Sequence, residues 1–95
     1  MRLLRIVRSP VAGKKWEAQF DMGEGRIKRV SFGAAGMDDF TLTKDAEQAR
    51  LYRARHEKDL RTGDPTRPGY LSYYVLWASP NFEANVRAYK KRFNL

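Results

Sequence analysis

The sequence predicts an α+β domain, a three-stranded antiparallel β-meander packed against about three α-helices. Three observations point there. Residues 1–32 hold three short strand-like segments separated by two turn signals, the middle one cleanly alternating apolar and polar side chains, the signature of short paired strands. The remainder reads at helical spacing, with a cap or a proline opening the runs. Ninety-five residues with two Trp, five Tyr and five Phe suffice for one core, so residues 1–95 form a single domain.

The segment Arg2 to Arg8 reads as a first strand, and Pro10 and Gly13 punctuate the loop after it. Lys14 to Phe20 is the cleanest strand. Trp16, Ala18 and Phe20 alternate with Lys15, Glu17 and Gln19, which predicts one buried face and one wet face. Asp21 to Gly25 is a hairpin loop, and Arg26 to Phe32 a third strand. The alternation of that strand slips between Ile27 and Val30, as it would at a β-bulge. Such a sheet needs a cover on its apolar face, and the second half supplies it. A first helix over 43–61 has Thr43 as N-cap, Asp45 and Glu47 in the first turn, and Ala49, Tyr52, His56 and Leu60 on one face. A second, over 70–78, is apolar nearly all round, which predicts deep burial. A third, over 80–93, has Ser79 as N-cap, Pro80 at the first position and a stripe of Phe82, Val86, Tyr89 and Phe93. The expected core is Trp16, Phe20, Phe32, Tyr52, Leu76, Trp77, Val86 and Phe93.

Composition narrows the chemistry. With no Cys there is no disulfide, thiolate nucleophile or cysteine-ligated metal. No apolar run approaches the ~18 residues of a membrane span, and arginines interrupt the N-terminal segment as they would not in a secretion signal. The chain is therefore expected not to be secreted. Gly33 to Gly36 follows a strand and precedes a helix, yet lacks the Lys-Ser/Thr of a phosphate loop; its glycines fit a tight corner instead. Asp38 and Asp39 are neighbours with no third acidic ligand at a useful spacing. One of them fits a role fastening the loop to its own amides or to an arginine, with Arg50 and Arg53 nearest in sequence. His56 is the sole histidine and has no sequence neighbours that make a nucleophilic or metal constellation, so a half-buried, hydrogen-bonded structural role is expected. No catalytic residue, cofactor or metal site is assigned.

The net charge is +8. Residues 1–30 carry eight Lys/Arg against three Asp/Glu and residues 49–95 carry ten against four, while 31–48 carry one against four. Basic ends flank an acidic joint. An excess of this size on a small domain points to an anionic partner, and Arg50, Lys58, Arg61, Arg87, Lys90 and Lys91 are the candidate phosphate-binding residues. Arg26 and Lys28 share one side of the third strand.

The run from Phe32 to His56, with a Pro/Gly loop, Leu76-Trp77-Ala78-Ser79-Pro80 and a basic end after it, resembles a family of short, uncharacterised proteins of large DNA viruses and some phages. The resemblance rests on Phe32, Gly33, Gly36, Asp39, Phe40, Thr41, Asp45, Arg50, Tyr52, Arg55, His56, Leu76, Trp77 and Pro80. Thr43 stands where that family often has a histidine. The resemblance implies a viral or phage origin, a location in a virion or the host cell interior and a virion- or genome-associated role, with Phe32, Gly33, Gly36, Asp39, Thr41, Tyr52, His56 and Trp77 as a structural motif. Charge and resemblance together point to two functions. One is a non-enzymatic module that binds nucleic acid without sequence specificity, DNA ahead of RNA. The alternative is a minor structural virion protein acting through protein–protein contacts, for which an outward-facing Leu51 is the hint.

Overall fold

A computed structural model describes residues 1–95. Strands β1 (Arg2–Arg8), β2 (Lys14–Gly23) and β3 (Arg26–Ala34) form one antiparallel sheet in the order β1-β2-β3. Helices α1 (Phe40–Thr43), α2 (Ala46–His56), α3 (Pro68–Leu71) and α4 (Phe82–Phe93) come after the sheet. A 3₁₀ segment, Glu57–Thr62, extends α2, and a π-wound segment, Ser72–Leu76, continues α3 without a break. The fold is α+β, as the patterning predicts.

The meander is tighter than expected at its hairpin. Only Glu24 and Gly25 lie between β2 and β3, with φ of 57° and 76°, the doubly left-handed pair that matches the twist of the strands. Register is irregular at Leu4 in β1 and at Met22 in β2, whereas β3 pairs without interruption from Ile27 to Phe32. No bulge therefore lies between Ile27 and Val30. Ile27 simply occupies the outer face and is exposed.

On the inner face Leu3, Ala18, Phe20, Val30 and Phe32 are buried. The outer face is not wet along its centre. Glu17 and Gln19 are 6% and 7% exposed, because they sit on the middle strand and the long side chains of both neighbours lie across them. Arg5 Nε donates to Gln19 Oε1 at 2.7 Å, Gln19 Nε2 donates to Glu17 Oε1 at 2.8 Å, and Arg29 stands 3.6 Å from the same carboxylate. Each buried polar group thus has a partner, as burial demands.

The helix that covers the sheet is Pro68–Leu76, with α4 packed on it from outside. Leu71, Val75 and Leu76 fill the centre of the core, joined by Tyr89. Burying such side chains contributes roughly 1.5–3 kcal/mol each. Phe20, Phe32, Leu76 and Trp77 are buried as expected, whereas Trp16, Tyr52, Val86 and Phe93 are half-buried and line the rim. Trp16 lies towards the sheet's end, against Phe82 at 5.0 Å.

Helix boundaries shift because side chains compete for the caps. Helix α2 is capped by Asp45, which accepts from Gln48 N at 3.0 Å, and Thr43 instead closes the preceding single turn. Lys44, at φ 58°, separates the two. The regular helix ends at His56, short of 61. The second helix starts at Pro68, two residues before 70, and ends at Leu76. Helix α4 is capped by Asn81 through Ala84 N at 2.9 Å, so Ser79 is not its cap and Pro80 lies outside it. The Ser79 hydroxyl bonds the side chain of Asn85 instead. Asn85 is 2% exposed and donates to the carbonyls of Val75 and Ser79 at 2.8 and 2.9 Å. It satisfies the Val75 carbonyl, which the end of the π-wound segment leaves open, and ties the following loop through Ser79.

Candidate functional site

The joint between sheet and helices is built by Gly33 and Gly36, at φ 78° and 79°. A left-handed backbone here is cheap only for glycine. Gly33 has a second reason: a Cβ on it would stand 2.9 Å from Leu76 Cδ1, so the strand end approaches the covering helix only without a side chain. Asp39, 2% exposed, fastens the corner. Its Oδ1 accepts from Thr41 N at 2.9 Å and from the Thr41 hydroxyl, and its Oδ2 takes Lys15 Nζ at 2.7 Å. The partner is a lysine of β2 rather than Arg50 or Arg53. Arg50 pairs with Glu47 at 2.5 Å, and Arg53 donates to the Trp77 carbonyl at 2.6 Å. Asp38 is exposed and makes no ion pair, whereas its neighbour Asp39 is buried.

Beside this corner lies a cleft of about 450 Å³ between the loop after β3, helix α2 and the π-wound segment. It gathers most of the motif residues. One wall is a stack of three rings. Trp77 lies on Tyr52 at 4.1 Å and 8°, and Tyr52 lies on His56 at 4.1 Å and 20°. The inner ring, Trp77, is 7% exposed, while the outer one, His56, keeps 37% of its side chain in solvent. His56 Nδ1 is 2.9 Å from Asp59 Oδ2, a bond that fixes the ring's orientation. Asp59 in turn packs against Gly69, where an added Cβ would meet Asp59 Cβ at 2.9 Å. Burial, and secondarily the negative charge of Asp59, pushes the Tyr52 phenol above its ordinary range. Polar groups reach the cleft from Gln48, Arg55 and Ser72. No group of three His, Asp or Glu side chains converges as metal ligands would.

The histidine matches the sequence expectation in being half-buried and hydrogen-bonded. Its orienting carboxylate, Asp59, is not among the residues expected to matter, although a spacing of three on one helical face is the signal that marks it. Gly69 and Asn85 carry no comparable signal, since their roles depend on what packs against them.

Of the candidate cations, Arg87, Lys90 and Lys91 are exposed on α4 at i, i+3 and i+4, hence on one face. Lys58 and Arg61 are exposed on the 3₁₀ segment after α2. Arg50 is engaged by Glu47, and that bond holds the Glu47 carboxyl below its usual range and raises the arginine. Lys28 is diverted inward, donating to the buried Thr66 hydroxyl at 2.8 Å, so it does not share a wet face with Arg26. Arg55 and Arg67 are exposed and lie outside the predicted set. Among the nineteen Lys/Arg, only Lys15, Arg29 and Arg50 pair with a carboxylate. At the end of α4, Arg92 lies 5.1 Å above the Tyr74 ring, and Tyr74 meets Tyr73 and Phe93.

The chain belongs to a family of unknown function (DUF5754), whose pattern matches residues 4–56. That span contains all but the first two residues of the sheet, the glycine corner and α2 as far as His56. No curated protein and no solved structure matches the chain.

Proposed function

Membership of that family brings no activity with it, and we propose from the surface itself that the domain binds nucleic acid without reading its sequence, DNA ahead of RNA. The observation that carries this is the outer face of α4, where Arg87, Lys90 and Lys91 are exposed and without acidic partners. Beside it Arg92 rests on a half-exposed tyrosine cluster. Helical cations at this spacing can track a line of phosphates, and attraction to phosphates needs charge density rather than a base code. Lys58 and Arg61 add charge from the segment after α2. Association with a viral genome, which the sequence resemblance implies, is the setting in which such a module would act.

The test is a fluorescence-anisotropy titration with labelled oligonucleotides. If about four phosphates are neutralised, the log–log salt slope is about −3.6, and affinity falls on the order of 10²-fold between about 50 and 200 mM salt. Changing Arg87, Lys90 and Lys91 together to Glu weakens binding to all sequences alike and flattens the slope by about 2.7. The fold survives, because these positions lie off the packed face that holds Asn85 and Tyr89. Absence of binding at about 50 µM protein and low salt would sink the proposal.

A second reading, contact with virion proteins, has its own observation: Leu42 and Leu51 are 63% and 47% exposed on α1 and α2. It is read by co-sedimentation with assembled particles, which Leu51→Glu abolishes while leaving oligonucleotide binding unchanged.

A further inference from the structure

The cleft beside α2 has features that a phosphate-binding surface does not require. Its volume, about 450 Å³, is that of a small-ligand pocket. Its aromatic wall is an unfinished ladder. Tyr52 is covered on both faces, by Trp77 and by His56, whereas His56 has a ring neighbour on one face only and a side chain that is 37% exposed. Asp59 holds one edge of the imidazole through Nδ1, and Nε2 makes no bond within the protein. The ring therefore cannot rotate to close the stack, and a further planar group is the natural occupant of its outer side.

The surrounding groups narrow what that planar group is. Arg55, the residue before His56, is exposed in the cleft wall and engages no carboxylate. Asp38, on the opposite loop, is exposed and likewise unpaired. A flat ring flanked by one cation and one carboxylate suits a nucleobase, whose exocyclic amine faces an acceptor and whose phosphate faces a guanidinium. Gly33 and Gly36 of the glycine corner line the cleft opposite His56.

We infer that the cleft receives one unpaired nucleobase, stacked on His56 with its phosphate toward Arg55, so that the domain prefers single-stranded nucleic acid to duplex. The inference rests on the nucleic-acid reading above and deepens it. A paired base is sandwiched by its neighbours and cannot enter a cleft, whereas an unpaired one adds a ring to the ladder. Stacking of this kind accepts any base, and the Asp38 carboxylate adds to it only for bases that carry an exocyclic amine.

Two measurements decide it. In anisotropy titrations at one salt concentration, a labelled single strand of mixed sequence should bind about 10-fold tighter than the duplex of equal length. His56→Ala should erase that preference and leave duplex affinity unchanged, while His56→Phe, which keeps a flat ring, should retain it. Equal affinity for both strands, or a His56→Ala loss shared equally by single strand and duplex, overturns the inference and leaves the nucleic-acid reading standing. Absence of binding to either probe removes both. The second measurement uses the unaltered chain: titration with adenosine monophosphate should move the His56 ring protons upfield, the mark of a ring stacked above them. Unmoved His56 resonances at saturating nucleotide overturn the inference even if His56→Ala fails to fold.

Discussion

Replacing Gly33 by Ala tests the corner on which both sheet and cleft depend. Two costs arise at that position. The backbone sits at φ 78°, where a Cβ costs roughly 1–2 kcal/mol. The new Cβ would also stand 2.9 Å from Leu76 Cδ1, and Leu76 is 2% exposed within the core cluster, so a packed side chain must shift. Overpacking of this kind costs about 1–3 kcal/mol, for a sum of about 2–5 kcal/mol. Gly36 supplies the internal control. Its φ is 79°, but nothing lies within 4 Å of the added atom, so Gly36→Ala carries only the backbone cost of roughly 1–2 kcal/mol. Urea denaturation of the two variants should separate them by about 1–3 kcal/mol with unchanged slope m. In thermal melts each kcal/mol corresponds to about 4–8 °C for a domain of this size. Leu76→Val, which removes the clashing methyl, should recover part of the Gly33→Ala loss, giving a coupling near 1 kcal/mol in a double-mutant cycle. If the two alanine variants are equally stable to within about 0.5 kcal/mol, or if the cycle shows no coupling, the close approach of strand end and helix is not what requires glycine at 33.

Three further outcomes are expected. Asp39→Ala should cost roughly 3 kcal/mol in urea denaturation, because it strands the Lys15 ammonium and removes the cap on α1; Asp39→Asn should cost less, since its amide oxygen can still accept from Thr41 N. Gly69→Ala should destabilise by about 1–3 kcal/mol, because its Cβ meets Asp59 Cβ at 2.9 Å; an ordinary helical site would instead gain about 1 kcal/mol, so the sign of the change decides. Burial raises the phenols of both Tyr52 and Tyr89 above their ordinary value. The native state therefore holds these protons after the unfolded chain has released them, and stability that is complete below about pH 10 falls as pH rises beyond it. The fall in melting temperature should be shallower in Tyr89→Phe, once the general loss from removing the bond to Pro65 is subtracted.

What the sequence determined by itself was whatever depends on neighbours a few residues away. Strand β1 runs from Arg2 to Arg8, the segment that its β-branched residues and terminal arginines mark out, and the inner face of β2 can be read from Ala18 and Phe20. The glycines of the corner adopt the left-handed angles that their placement after Phe32 implies. Tyr70, Leu71, Val75, Leu76 and Trp77 of the apolar run are buried as its composition implies, while Tyr73 and Tyr74 stay half-exposed. Net charge, too, is a property of the chain alone. Tertiary structure decided which of several equivalent local groups was used. Asp45 and Asn81 won the caps from Thr43 and Ser79, a competition between similar oxygens that the backbone path settles. Glu17 and Gln19 were buried by arginines from two other strands, which alternation along one strand cannot reveal. Asp39 chose Lys15, 24 residues away in sequence, over the nearer arginines, because β2 runs beside the corner. At Gly33 the end of β3 meets Leu76, and at Gly69 the covering helix meets Asp59, close approaches between segments that nothing in the local sequence connects.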